Sequence, residues 1–81
     1  MGKKSVLHAG NTYLIRIGKT IKLLRKEMGL SQEELALNSG LDRSYLGAIE
    51  RGENNPTIIN IIKIAGALKI NASELLKQSH I

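Results

Sequence analysis

Arg43, Ser44, Tyr45 and Ala48 crowd into six residues, with Gln32 upstream and Arg51, Asn54 and Asn55 just downstream. All of these side chains but Ala48 can hydrogen-bond, and the two arginines carry positive charge, the chemistry of holding a ligand. The planar fork of an arginine such as Arg43 matches the O6 and N7 acceptors of guanine. Ser44 can donate or accept at several base edges and so discriminates weakly. The Tyr45 hydroxyl can reach a phosphate while its ring lies against a helix. The Ala48 methyl can meet a thymine methyl, and Gly47 beside it lets a backbone come close to bases. Gln32 at the start of a helix can bind a phosphate together with the free N–H groups there. Arg51, Asn54 and Asn55 can touch a phosphate backbone, contacts that fix register and carry no sequence information. Three of these have plainer readings: Arg43 as a solvated first-turn arginine, Gln32 as a neutral first-turn glutamine, and Asn-Asn-Pro as turn chemistry without any ligand.

Groups for catalysis are missing from the pattern. Cysteine is absent, which removes a disulfide framework, a thiolate metal site and a cysteine nucleophile. The two histidines, His8 and His80, stand near opposite ends of the chain. No paired carboxylates, metal-ligand spacing or phosphate-cradling loop accompany them. The expectation is no enzyme, no metal and no cofactor.

The chain has 81 residues, 42% of them hydrophobic but only 2% aromatic, with no Phe or Trp. Its core must be built from Ile, Leu, Ala and Val, which suits packed helices. So short a chain sits near the lower limit of independent stability, which favours an oligomer. No apolar run approaches the roughly 20 residues needed to span a bilayer, and Met1 to Gly10 is too short and too weakly apolar for a secretory signal. A small soluble domain of the cytoplasm, nucleoid-associated and without membrane contact, is expected.

The net charge of +5 makes a polyanion a candidate partner, but the charge is unevenly spread. Residues 1–30 carry Lys3, Lys4, Arg16, Lys19, Lys22, Arg25 and Lys26 against Glu27 alone. Residues 31–57 are net acidic, with Arg43 and Arg51 against Glu33, Glu34, Asp42, Glu50 and Glu53. The acidic stretch keeps open a module that binds protein and not DNA.

These groups need elements to hold them. Residues 1–11 lack periodicity and read as a mobile arm ahead of one domain over 12–81. From Thr12 to Met28, Leu14, Ile17, Ile21, Leu24 and Met28 recur at helical intervals, with Asn11 as a cap and Gly29 as a stop. Ser31 with Glu34 is a capping box for a second helix from Gln32 to Asn38. Asp42 caps a third from Arg43 to about Arg51, closed by Gly52. Thr57 caps a fourth from Ile58 to about Leu68, and Asn71 with Glu74 starts a fifth ending near Gln78. The fold class is all-α, five helices joined by short connections.

The second and third helices flank a turn of about three residues containing Gly40, the helix-turn-helix arrangement whose second helix lies in the major groove of DNA. Counting from Gln32, the fifth position is Ala36, where a small side chain lets the helices cross closely, and the ninth is Gly40, where the turn needs a positive φ. The fifteenth and eighteenth, Leu46 and Ile49, face the core.

Ile17-Gly18, Leu24-Arg25, Gly29 through Ala36, Gly40-Leu41, Ile49 through Gly52, Pro56-Thr57-Ile58, Ile61, Ile64-Ala65 and Ala67-Leu68 carry a family resemblance. On these residues the chain resembles the Xre-type helix-turn-helix regulators, which include the lambda-like phage repressors. Leu41 through Leu46 ahead of Glu50-Arg51-Gly52 is most similar to the small controller proteins of restriction–modification systems. The resemblance implies a compact lambda-repressor-like domain, a homodimer on a palindromic DNA operator, and control of a restriction–modification operon that includes its own gene. The antitoxin of a toxin–antitoxin pair and a stand-alone phage-type repressor are the alternatives. It also implies that Arg25 and Glu50 pair across the first and third helices. On the fourth helix Ile58, Ile61, Ile64, Ala65 and Leu68 make a core stripe, and Ile59, Ile62 and Gly66 a second one. That second stripe, with Leu75 and Leu76, fits a two-fold dimer contact, or extra packing within one chain. Exposed acids at Glu33 and Glu34 offer a surface to RNA polymerase, although the helix dipole alone favours glutamates there.

Overall fold

Each helix begins at a residue that can turn a backbone inward. In the computed structural model, which describes residues 10–81, Asn11 accepts hydrogen bonds from the backbone N–H groups of Tyr13 and Leu14 and opens α1 (Thr12–Glu27). Asn11 thus belongs to the domain. The rest of the expected arm lies outside the described residues, apart from Gly10. Ser31 and Glu34 form the full capping box of α2 (Gln32–Ser39), with the two reciprocal bonds at 3.0 and 2.8 Å. Asp42 caps α3 (Arg43–Glu50), and Thr57 caps α4 (Ile58–Ala67) through the Asn60 N–H. Asn71, expected to cap α5 (Ala72–Gln78) with its side chain, makes no such bond and only supplies the extended backbone before the helix.

The described residues form these five helices and no strand. α1 packs against α3 and α5, α2 against α3 and α4, and α4 against α5. Ile17, Ile21, Leu35, Ala36, Leu46, Ile49, Ile61, Ile64, Ala65, Leu68 and Leu75 fill the centre. Two expected core positions differ: Ile58 is exposed at the first turn of α4, and Met28 is 40% exposed at the end of α1. Both stand at helix ends, where an apolar stripe runs past the edge of the neighbours that cover it.

Two close approaches fix α3 against α1. A Cβ on Gly18 would overlap the Ile49 carbonyl oxygen and lie 2.6 Å from that of Glu50, so only glycine allows the two backbones to cross there. Gly52 sits at φ 75° with Ile15 pressed on it, where a Cβ would come within 2.9 Å of the Ile15 Cγ1.

Candidate nucleic-acid interface

The turn between α2 and α3 is made by Gly40 at φ 71°, a left-handed conformation that a side chain would strain. The Leu41 N–H reaches back to the Ala36 carbonyl at 2.8 Å and ends α2 sharply. Three residues later α3 starts. The Asp42 carboxylate accepts from the N–H groups of Ser44 and Tyr45 at 3.0 and 3.4 Å. Arg43 and Ser44 therefore stand exposed on a capped first turn, and among the described residues no ion pair holds Arg43. Leu46 and Ile49 are buried on the other side, which sets the rotation of α3 about its axis.

The far end of α3 is held by charge. The Arg25 Nε donates to Glu50 Oε2 at 2.7 Å and its Nη2 to Oε1 at 3.0 Å, and the two side chains are 8% and 1% exposed. Such a two-pronged, charge-assisted pair carries orientation as well as energy. The remaining Arg25 Nη1 donates to the Leu30 carbonyl at 2.8 Å, which binds the α1–α2 loop into the same cluster. Gln32 completes it, its Nε2 donating to Glu50 Oε1 at 2.9 Å. Among the described residues no buried side-chain nitrogen or oxygen is left without a partner, as the cost of burying charge demands.

The bond from Gln32 changes two expectations. Gln32 is half-buried and committed to Glu50, which leaves it one amide hydrogen and its backbone N–H for any phosphate. Gly47, expected to face outward, is buried beneath Gln32: a Cβ there would lie 3.4 Å from the Gln32 Oε1 and 3.3 Å from the Arg51 Nη1. Its small size makes room for a neighbouring side chain. Ala48 is half-buried at the rim.

Tyr45 is half-buried with its ring against the core, and its hydroxyl oxygen accepts from the Asn60 Nδ2 at 3.0 Å. Its hydroxyl hydrogen remains available. Asn60, a polar residue between Ile59 and Ile61, was a signal in the sequence, but nothing local tells which residue it meets. Past α3, Arg51 is exposed and paired through Nε with Glu53 Oε1 at 3.1 Å, a contact that an exposed pair can exchange cheaply. Asn55 is exposed and Asn54 half-buried in the loop.

On α4, Ile59 and Ile62 are 57% and 50% exposed and Gly66 is exposed beside them, so the second stripe is open to solvent. Leu76 is half-buried. Leu75 does not belong with them: it is fully buried in the core, because α5 meets both α1 and α4 and turns Leu75 into their junction. No helix of the described residues is long and apolar enough to cross a membrane, and no cluster of His, Asp and Glu among them could hold a metal ion.

A short helix, a glycine turn and a second short helix with an exposed, capped start, all set in a five-helix lambda-repressor-like frame, define a helix-turn-helix DNA-binding domain. The helix-turn-helix family model matches residues 21–75, and the chain belongs to that family. It is a transcriptional regulator of the helix-turn-helix type, close to the controller proteins of restriction–modification systems. An HTH-type transcriptional regulator of Sinorhizobium fredii, y4dJ, is 42% identical over 60 residues, spanning 74% of this chain and 78% of that protein. Control protein C.MunI of a Mycoplasma species is 46% identical over 66 residues, covering 80% of this chain and 89% of its own length. The crystal structure of the restriction–modification controller protein C.AhdI from Aeromonas hydrophila matches with a TM-score of 0.75 at 52% identity, covering 76% of this chain and 94% of that one.

Proposed function

We propose that the chain is a sequence-reading regulator that binds a palindromic operator as a homodimer and controls a restriction–modification operon including its own gene. The observation that carries this reading is the exposed, capped first turn of α3, where Arg43 and Ser44 stand free while Glu50 locks the other end to α1. Arg43 and Ser44 meet base edges, with Ala48 at the rim of the same surface. Tyr45, Gln32, Arg51, Asn54 and Asn55 contact phosphates. The likeness to two control proteins of similar length supports the choice of operon.

Two copies meet through Ile59, Ile62, Gly66 and Leu76, with Leu75 left to the core of each chain. Two recognition helices one DNA turn apart then read two half-sites. An Ile62→Asp variant is expected to sediment as a monomer and to lose operator affinity steeply on dilution. A variant that stays dimeric removes this interface. A contact with RNA polymerase is a second reading, narrowed to Glu33: the Glu34 carboxylate is occupied by the capping box, while Glu33 is exposed beside the exposed Leu37.

The test is fluorescence anisotropy with DNA from immediately upstream of the gene, at two salt concentrations, for wild type and Arg43→Ala. Tight, salt-sensitive binding that falls to the non-specific level in Arg43→Ala is expected. Equal, weak binding of both proteins to this and to unrelated DNA would replace operator reading with a protein-partner role.

A further inference from the structure

The Tyr45–Asn60 hydrogen bond joins the surface assigned to DNA with the first turn of α4. Asn60 lies in the first turn of α4 among Ile58, Ile59, Ile61 and Ile62, and its backbone N–H is already satisfied by the Thr57 hydroxyl at 3.1 Å. Capping therefore does not require its side chain, and asparagine is a weak helix former. What the side chain does is donate to the hydroxyl oxygen of Tyr45.

A phenolic O–H lies near the plane of its ring and has two favoured directions. With a donor from Asn60 filling one side of the oxygen, the hydroxyl hydrogen is turned to the other. A phosphate oxygen is an acceptor only, so it can be met by Tyr45 only with that hydrogen pointing outward. We infer that Asn60 is a positioning residue for DNA binding, presetting the Tyr45 hydroxyl as a hydrogen-bond donor to a backbone phosphate. The inference rests on Tyr45 being a DNA-facing residue. It predicts an effect of Asn60 that passes entirely through that hydroxyl.

The experiment is a double-mutant cycle on the full chain: wild type, Tyr45→Phe, Asn60→Ala and the double variant, each titrated against the upstream fragment by anisotropy at a temperature where melting curves show all four folded. Tyr45→Phe is expected to weaken binding roughly tenfold, as fits a hydrogen bond to a charged acceptor. Asn60→Ala should weaken it by a smaller factor in the presence of Tyr45, and not at all once Tyr45→Phe is in place. Asn60→Asp keeps the side-chain shape but offers only acceptors, so it should draw the hydroxyl hydrogen inward. Its loss should be larger with Tyr45 than in the Tyr45→Phe background, and this arm serves if Asn60→Ala does not fold. If Tyr45→Phe weakens binding while Asn60→Ala binds like wild type, or if Asn60→Ala costs the same in both backgrounds, the positioning role is wrong and the contact by Tyr45 stands. If Tyr45→Phe itself binds like wild type, the phosphate contact falls, and the positioning role falls with it.

Discussion

The half of the molecule built from α1, α2 and α3 and the half built from α4 and α5 end their helices in the same way but are held by different forces. All five helices close with a backbone N–H reaching back five residues, at Leu30, Leu41, Glu53, Ile70 and Ile81. In α1 to α3 the left-handed residue before that donor is Gly29, Gly40 or Gly52. In α4 and α5 it is Lys69 at φ 65° and His80 at φ 63°, side chains in a conformation that disfavours them. The first half also contains the buried ion pair, the Gln32 bond and the backbone crossing at Gly18. The second contributes mainly Ile61, Ile64, Ala65, Leu68 and Leu75 to the core. Directional contacts admit one orientation of α3, whereas apolar burial scales with area and tolerates repacking. α3 is held by the part of the molecule that has least freedom to shift.

Breaking the polar cluster should produce the largest effect. Arg25→Ala leaves the Glu50 carboxylate buried without its cation, and a loss of about 3–5 kcal/mol in urea unfolding is expected. Replacing both residues with apolar ones, Arg25→Met with Glu50→Leu, should recover most of that stability while operator affinity stays reduced. Full recovery of both would mean that the pair does not orient α3. Next comes the backbone crossing: Gly18→Ala should cost about 3 kcal/mol, the upper part of the range for overpacking, because the atoms it meets are main chain. A wild-type melting midpoint for that variant would show that α1 and α3 can slide apart freely. The smallest effect has the opposite sign. Lys69→Gly should raise stability by about 0.5–1 kcal/mol, relief of the left-handed side chain less the added freedom of the unfolded chain. Calorimetry showing no gain would erase the contrast between the two kinds of helix stop.

Local chemistry made much of the site legible. Ser31 with Glu34, Asp42 and Gly40 each act through backbone groups within a few residues, so their type and spacing predict the turn and the exposed start of α3. The same holds for Asn11 and Thr57, but not for Asn71, where an extended backbone alone suffices to start the helix. The place of Gly47 is not legible locally, because a small residue on a short helix can serve a ligand or a neighbour, and the neighbour is Gln32, fifteen residues away. Leu75 and Leu76 were indistinguishable for a similar reason. Two adjacent leucines in a seven-residue helix leave the buried face undecided until α1 and α4 are in place.

The order of types along the chain was thus enough to determine the number of helices, most of their caps, the glycine turn and the family, since each depends on hydrogen bonds or periodicity within one or two helical turns. Tertiary structure alone decided that Gly18 meets the main chain of α3, that Gln32 serves Glu50, that Asn60 holds Tyr45, and which of two leucines is core. The first three contacts join residues 15 to 32 positions apart, where rotation of one whole helix against another sets the partner, and no local pattern encodes that rotation.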